Sequence, residues 1–157
     1  MSRLANLIDN LLLPIVPLSF GAPGLWLRRS SFAKLGRIDG RHIVITGANS
    51  GIGRAATEVL VRRGARVTMV CRDRGRAEAA RADLDAVTDR PGHVSIELCD
   101  VARLDDVAQL ASRLRDPIDV VIHNAGTLPL ERSNTADGFE LTWATHVVGP
   151  HLTSEAS

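Results

Sequence analysis

The chain has 157 residues, of which 45% are hydrophobic and 24% are charged, and its formal net charge is +1. A chain of this length forms one domain with a moderate core, and its balanced charge gives no electrostatic basis for binding nucleic acid. The two cysteines and five histidines lack the spacing of a disulfide framework or a metal site. We therefore expect free thiols, a reducing cytoplasmic compartment and no bound metal.

Residues 1–40 are predicted to form a hydrophobic N-terminal arm and a linker, separate from a domain at residues 41–157. Residues 7–27 are apolar but contain three prolines, whereas a membrane-spanning helix needs about 20 uninterrupted apolar residues. Three interpretations stay open for the arm. It packs on its own domain or on a partner, it makes a peripheral membrane contact through residues 7–29 with Trp26 at the interface, or it is a signal or a disordered segment.

After the arm, the apolar pattern alternates between the periods of strands and helices. Strands are predicted at residues 42–45, 67–70, 94–98 and 119–123, and helices at residues 54–63, 74–87, 104–114 and 139–148. The last helix is expected to be interrupted at Gly149 and Pro150. Such alternation predicts right-handed crossovers, and hence an α/β fold of the Rossmann type. We expect a doubly wound parallel sheet of order 3-2-1-4, truncated and incomplete at the C-terminus.

The stretch TGANSGIG at residues 46–53 joins the first strand to the first helix. In this layout Gly47 makes the tight turn, Gly51 lets the backbone approach a pyrophosphate and Gly53 lets the helix pack closely on the strand. The helix N-terminus then lies against a phosphate. The alternative is a structural turn that binds nothing. The candidate binding residues of this stretch and its flank are Thr46, Gly47, Asn49, Ser50, Gly51, Ile52, Gly53 and Arg54.

Three motifs at consistent spacing point to one family. The first is T-G-x-x-x-G-x-G, formed by Thr46, Gly47, Gly51 and Gly53, and the second is an acidic residue after the third strand, Asp100. The third, after the fourth strand, is His123-Asn124-Ala125-Gly126. With these motifs, about residues 40–150 resemble the N-terminal, cofactor-binding part of a short-chain dehydrogenase/reductase, whose third motif reads N-N-A-G, so that His123 replaces its first asparagine. Residues 64–73 and 137–141 resemble the retinol-dehydrogenase-like branch of that family.

The resemblance implies roles for the residues at the ends of the third and fourth strands. Asp100, followed by Val101, would contact the adenine, although Asp100 can also serve only to cap the third helix. Asn124, Ala125 and Gly126 would flank the adenine ribose, and Asn124 would tie neighbouring strands together.

The end of the second strand favours NADP over NAD as the cofactor. Enzymes that use NAD place a carboxylate there, whereas this chain has the uncharged Cys71 followed by Arg72. A guanidinium can bind a 2′-phosphate bidentately, and Arg54 would add a second positive charge. Two alternatives stay open: both arginines are solvated surface residues, or a small change of register places Asp73 near the ribose.

The resemblance also implies a catalytic serine and a Tyr-x-x-x-Lys motif, which this sequence does not contain. There is no tyrosine, and the single lysine is Lys34. His146 takes the place of the family's asparagine in the helix after the fourth strand. We interpret His146 as an ordinary helix residue and His123 as a core histidine, and we assign no catalytic residue.

The sequence leaves three functions open. The first is an NADP-dependent oxidoreductase acting on a small lipophilic alcohol or carbonyl compound, present here as its cofactor-binding portion. The others are a non-catalytic dinucleotide-binding or interaction protein, and a non-functional truncated product. We expect a cytoplasmic location with membrane association through the arm as an alternative, and we make no prediction of the oligomeric state. Cys71 and Cys99, at the ends of neighbouring strands, are expected to lie close together as free thiols.

Overall fold

The computed structural model describes residues 36–155. The proposed membrane contact of the N-terminal arm lies outside these residues. Within residues 36–155, no helix combines the length and the apolar character needed to cross a membrane. The described end of the expected linker is bonded to the domain: Ile38 N donates to Arg63 O at 3.0 Å, and Gly40 N donates to Gly64 O at 3.0 Å.

The described chain alternates strands and helices as the periodicity predicted. The elements are β1 (His42–Thr46), α1 (Gly51–Arg62), β2 (Arg66–Cys71), α2 (Arg74–Thr88), β3 (Val94–Leu98), α3 (Leu104–Arg113), β4 (Val120–Ile122), α4 (Leu141–Trp143), a π-helical turn (Ala144–Val148) and α5 (Gly149–Glu155). The sheet has the order β3-β2-β1-β4, and its paired strands run parallel. The predicted Rossmann-type order is therefore confirmed.

Two hydrophobic cores cover the two faces of the sheet, because successive strand residues point to opposite sides. Ile45 and Met69 contribute to the core that also contains buried side chains of α1 and α2. Val44 and Val70 contribute to the core that contains Leu110 of α3. All five residues of β1 are consequently buried. A strand buried on both faces is the reason that the first strand appears in the sequence as an apolar run.

The start of α1 differs from the predicted start, whereas the start of α2 agrees with it. Helix α1 begins at Gly51 rather than at residue 54, so the end of the glycine-rich stretch forms its first turn. Helix α2 begins at the predicted position because Asp73 is its N-cap, with its side chain accepting from Arg76 N at 2.8 Å.

The last helix does not end at Gly149 and Pro150, and the expected interruption is wrong. Pro150 has no N–H for the carbonyl four residues earlier, and in a regular helix its ring would collide with that carbonyl. A π-helical turn precedes it, in which the Gly149 N–H donates to Ala144 O. Helix α5 then continues to Glu155, with the hydroxyl of the buried Thr153 donating to Gly149 O at 2.7 Å.

Gly149 is also the point where this helical segment lies against the turn that follows β3. A Cβ added to Gly149 would lie 2.2 Å from Val101 O. The contact involves backbone, so no side-chain rotation can relieve it. Glycine at this position allows the helix to pack against the turn that follows β3.

Candidate functional site

A cavity of about 380 Å³ lies at the carboxyl ends of the four parallel strands. Ligands of open α/β sheets bind in this position. The cavity is lined by most of the predicted binding residues, namely Gly47, Asn49, Ser50, Ile52, Arg72, Asp100, Val101, Asn124, Ala125 and Gly126. The predicted residues that do not line it are Thr46, Gly51, Gly53 and Arg54.

Gly47 makes the turn that carries the chain from β1 into the glycine-rich stretch. Its φ is +67°, in the left-handed region that side chains disfavour. Its N–H donates to Val70 O at 2.8 Å, and an added Cβ would lie 2.9 Å from Ala125 Cα. Both the backbone conformation and the closeness of the segment after β4 therefore require glycine.

Thr46 and Asn124 join the ends of β1 and β4. The buried Thr46 hydroxyl oxygen accepts from Asn124 N at 3.1 Å and from Ala125 N at 3.0 Å. The Asn124 side chain donates back through Nδ2 to Thr46 O at 3.0 Å and to Gly47 O at 3.2 Å. Thr46 does not line the cavity, but its hydroxyl holds Asn124 and Ala125, which do.

Gly53 lets α1 pack on this junction. A Cβ at Gly53 would lie 2.5 Å from Asn124 Nδ2 and 2.6 Å from Gly47 O. The space of a methyl group is therefore already filled by the amide that joins the two strands.

The N-terminus of α1 is suited to an anion. Its N-cap, Ser50, makes no side-chain capping hydrogen bond, and the first turn contains no acidic residue. Gly51 has a φ of +53°, and a Cβ there would meet no atom within 4 Å. The unpaired N–H groups of a helix N-terminus and its dipole attract phosphate. The predicted approach of a pyrophosphate to Gly51 is sterically open.

Two arginines line the cavity beyond the end of β2. Arg72 is exposed, and Arg76 of α2 also lines the cavity, although it is not among the binding residues predicted from the sequence. Asp73 is used as the N-cap of α2, bonded to Arg76 N. Arg54, the predicted second charge, instead lies 3.4 Å from Asp83 of α2. The charge pattern at this end of the cavity is cationic.

Asp100 forms the wall of the cavity that follows β3. Its Oδ1 accepts from Ala102 N at 3.0 Å, while its own N–H donates to Asp106 Oδ2 at 3.1 Å. Asp100 does not cap α3, whose N-cap is Arg103. The carboxylate stabilises the turn before α3 and lies within the lining of the cavity.

Cys71 and Cys99 lie on neighbouring strand ends, and the Cys99 N–H donates to Cys71 O at 3.0 Å. Their side chains belong to the cores on opposite faces of the sheet. Burial raises the pKa of the Cys71 thiol, and contacts from the N–H groups of Ala48 and Asn49 oppose that rise. Burial, followed by the charge of Asp106, raises the pKa of Cys99 to about 12. Both thiols are therefore protonated near neutral pH.

The remaining wall lies between the end of β4 and the last helical segment. His146 Nε2 lies 3.1 Å from both Thr127 N and Thr127 O. His123 Nε2 lies 2.9 Å from Ser154 Oγ, and desolvation by neighbouring atoms lowers the pKa of His123 even though the residue as a whole is exposed. His123 is an exposed residue, so its interpretation as a core histidine is wrong.

The parallel sheet of order β3-β2-β1-β4, the glycine turn and the cavity at the carboxyl ends of the strands define a Rossmann-type domain. A family model described as short chain dehydrogenase matches residues 41–156. The chain belongs to this family of NAD(P)-binding oxidoreductases.

Similar proteins include retinol dehydrogenases of mammals. Retinol dehydrogenase 14 of Mus musculus is 39% identical over 129 residues, which cover 74% of this chain and 39% of that protein. Retinol dehydrogenase 13 of Homo sapiens is 33% identical over 118 residues, which cover 73% of this chain and 35% of that protein. The matched region therefore spans less than half of the length of these relatives.

A solved structure of a short-chain dehydrogenase from Sphingobium yanoikuyae in complex with NADPH is 31% identical, with a TM-score of 0.63. The alignment covers 74% of this chain and 46% of that protein.

Among residues 36–155, no three His, Cys, Asp or Glu side chains come together as a metal ion would require.

Proposed function

We propose that this chain is the NADP-binding portion of an oxidoreductase that acts on a small lipophilic alcohol or carbonyl compound. The observation that supports NADP most directly is that Arg72 and Arg76, from the segment that follows β2, both line the cavity, whereas an NAD-dependent enzyme would have a carboxylate at the end of that strand. Cys71 is uncharged at neutral pH, and Asp73 is bonded to the start of α2. The similarity of this chain to proteins named retinol dehydrogenases favours a lipophilic substrate.

The residues around the cavity suit the successive parts of the dinucleotide. The N–H groups at the start of α1, next to Gly51, would hold the pyrophosphate. Asp100 would accept from the adenine, and Arg72 with Arg76 would bind the 2′-phosphate through charge-assisted hydrogen bonds. The bound cofactor would supply or accept the hydride. The residues described here would bind and orient it.

Binding of the two cofactors tests the role of the arginines. Each charge-assisted contact is worth about 1.5–3 kcal/mol, so Arg72→Ala and Arg76→Ala should each weaken NADPH binding roughly ten- to a hundredfold. NADH binding should change little. Arg74→Ala is the matched control, because Arg74 lies on the same turn of α2 but outside the cavity lining, 3.5 Å from Glu78. Calorimetric titration of each variant provides the measurement.

Equal losses for NADPH and NADH would rule out contact with the 2′-phosphate. A loss in Arg74→Ala as large as in Arg72→Ala would show that general surface charge, rather than the cavity, attracts the cofactor.

A second function, dinucleotide binding without redox chemistry, is favoured by one feature of the sequence. In this family a tyrosine transfers the proton and a lysine lowers the pKa of that tyrosine, yet the 157 residues contain no tyrosine. Losing a positioned acid or base typically costs about 10²–10⁴-fold in rate. We expect residues 1–157 to bind NADPH without oxidising it in the presence of aldehydes or ketones, as followed by NADPH absorbance. Turnover that persists through repeated purification and in His146→Ala would contradict this expectation.

A further inference from the structure

A second cavity, of about 330 Å³, lies near the amino ends of the strands, at the opposite end of the sheet from the first cavity. Its lining includes His42 of β1, Thr68 of β2 and Ser95 of β3. The two cavities share no lining residue. Sites for small molecules typically have volumes of about 300–1,000 Å³, so the second cavity has room for a small ligand.

The side chains of His42, Thr68 and Ser95 form a hydrogen-bonded row across three neighbouring strands. His42 Nε2 lies 2.9 Å from Thr68 Oγ1, and Thr68 Oγ1 lies 2.9 Å from Ser95 Oγ. At the other end of the row, His42 Nδ1 lies 3.1 Å from Pro117 O. His42 and Thr68 are only 7% and 5% exposed, whereas Ser95 is exposed. The row therefore runs from a buried backbone carbonyl to the open cavity.

The carbonyl of Pro117 fixes the direction of every hydrogen bond in this row. A carbonyl oxygen can only accept, so the proton of the neutral His42 ring lies on Nδ1, and Nε2 accepts from the Thr68 hydroxyl. Thr68 has a single hydroxyl hydrogen, so the Ser95 hydroxyl must donate to Thr68. Ser95 Oγ then has only lone pairs left for the cavity. A ligand can contact it by donating a hydrogen bond, as an alcohol does.

The charged side chains around the second cavity leave one guanidinium available to a ligand. Arg113 donates to Glu97 at 2.7 Å, and Arg66 lies 3.4 Å from Asp116, so both acidic side chains of the lining are paired. Arg115 also lines the cavity, and residues 36–155 provide no carboxylate partner for it. A guanidinium binds carboxylate and phosphate groups through paired, charge-assisted hydrogen bonds.

We propose that the second cavity binds a small anion that also carries a hydroxyl group, such as a hydroxy acid or a phosphorylated polyol. The carboxylate or phosphate binds Arg115, and the hydroxyl donates to Ser95 Oγ. An ammonium group is a poorer donor here, because the surrounding arginines repel it. This site does not depend on the proposed dinucleotide function, since the two cavities have separate linings.

Nuclear magnetic resonance of the 157-residue chain at pH 8 tests this site with two probes, glycerol 3-phosphate and glycerate. At least one should shift the amide signals of Ser95 and Arg115 in a saturable manner, and the probe that does so identifies the anionic group. NADPH should not displace it. Glycerol has no anionic group and sulfate has no hydroxyl, so each should bind at least fivefold more weakly. Saturation of neither amide by either probe, or sulfate binding as tightly as the better probe, would overturn the proposal.

Substitutions test the two residues that the ligand should contact. Arg115→Ala should weaken binding of the better probe roughly tenfold, and Ser95→Ala roughly fivefold. Ser95→Thr keeps the hydroxyl and should retain binding. The matched control is Arg81→Ala, because Arg81 is an exposed arginine of α2 outside both linings. An equal loss in Arg81→Ala and Arg115→Ala would show attraction by general surface charge and overturn the proposal.

The direction of the hydrogen-bonded row can be measured without any ligand. At pH 8 an imidazole is ordinarily neutral, and its ¹⁵N shifts show which nitrogen carries the proton. The His42 proton should lie on Nδ1. A proton on Nε2 would make Ser95 a donor to the cavity and would overturn the requirement for a hydroxyl on the ligand.

Discussion

The substitution Gly53→Ala should destabilise this domain although the residue lies in a helix. In a helix interior, alanine is normally more stable than glycine by about 0.5–1 kcal/mol. At Gly53 the added methyl group would lie 2.5 Å from Asn124 Nδ2 and 2.6 Å from Gly47 O. The second of these atoms is backbone, and the first makes the hydrogen bonds that join β1 to β4.

The expected magnitude follows from these contacts. Overpacking typically costs about 1–3 kcal/mol, and displacing the Asn124 amide removes hydrogen bonds worth about 0.5–1.5 kcal/mol each. After subtracting the helix preference of alanine, the free energy of unfolding should fall by about 1–5 kcal/mol. The matched control is Gly75→Ala, in the first turn of α2, where the nearest atom would be Asp73 Oδ1 at an ordinary 3.7 Å. Gly75→Ala should leave stability unchanged or raise it by up to about 1 kcal/mol.

Urea denaturation followed by circular dichroism at 222 nm measures both variants against the wild-type chain. The two substitutions make the same chemical change in the first turn of two helices, so the opposite signs isolate the contact at Asn124. A Gly53→Ala chain as stable as the wild type would refute the conclusion that α1, Gly47 and Asn124 are packed without room for a methyl group.

Three further changes test other parts of the structure. Thr46→Val should lower the free energy of unfolding by about 2–4 kcal/mol, because the N–H groups of Asn124 and Ala125 lose their acceptor. Thr46→Ser keeps the hydroxyl and should lower it far less. Equal midpoints of urea denaturation for the two variants would contradict this reasoning. The thiols of Cys71 and Cys99 should react slowly with a thiol reagent in the native protein at pH 8, because both are buried. Titration of the unfolded, unreduced protein should detect two thiols, whereas detection of none would show a disulfide. Desolvation lowers the pKa of His123 in the folded chain, so below pH 6.5 the unfolded chain binds more protons than the folded one. The free energy of unfolding should therefore fall as the pH decreases towards the folded pKa, and it should fall less steeply in His123→Gln. An unchanged slope in His123→Gln would show that other groups cause the pH dependence.

The order of the sheet could be predicted from the sequence because it follows from strand and helix periodicity together with right-handed crossovers. The positions of Gly47 and Gly53 could also be predicted, since a tight turn and a close helix contact impose steric demands that few residues meet. For Gly47 the structure gives the reason as a φ of +67° and contact with Ala125. For Gly53 the crowding comes from Gly47 O, which is near in the sequence, and from Asn124, which is 71 residues further along it.

Other features depend on three-dimensional geometry that the sequence does not reveal. Arg76 reaches the cavity because Asp73 starts α2 and sets the rotation of its first turn, whereas Arg54 lies near Asp83 of a neighbouring helix. The thiols of Cys71 and Cys99 lie on opposite faces because Cys71 pairs with Leu98, which sets the register. A register of this kind is fixed by packing rather than by composition.

The sequence does not predict that the helix continues past Pro150, because Gly-Pro is ordinarily a stop signal. The π-helical turn supplies a local solution through the Gly149 N–H and Ala144 O. Only the packed structure shows that Gly149 has to be small, since the crowding atom is Val101 O.

The residue before β4 fastens that strand to its neighbour. Asp119 Oδ2 accepts from His42 N at 2.8 Å, and Asp119 Oδ1 pairs with Arg41. Strand β4 is three residues long and pairs with β1, so few ladder hydrogen bonds hold it. A slip of one residue in the pairing of a strand moves every side chain to the other face of the sheet. The carboxylate of Asp119 should therefore fix the register of β4, and with it the height at which Asn124 meets Thr46.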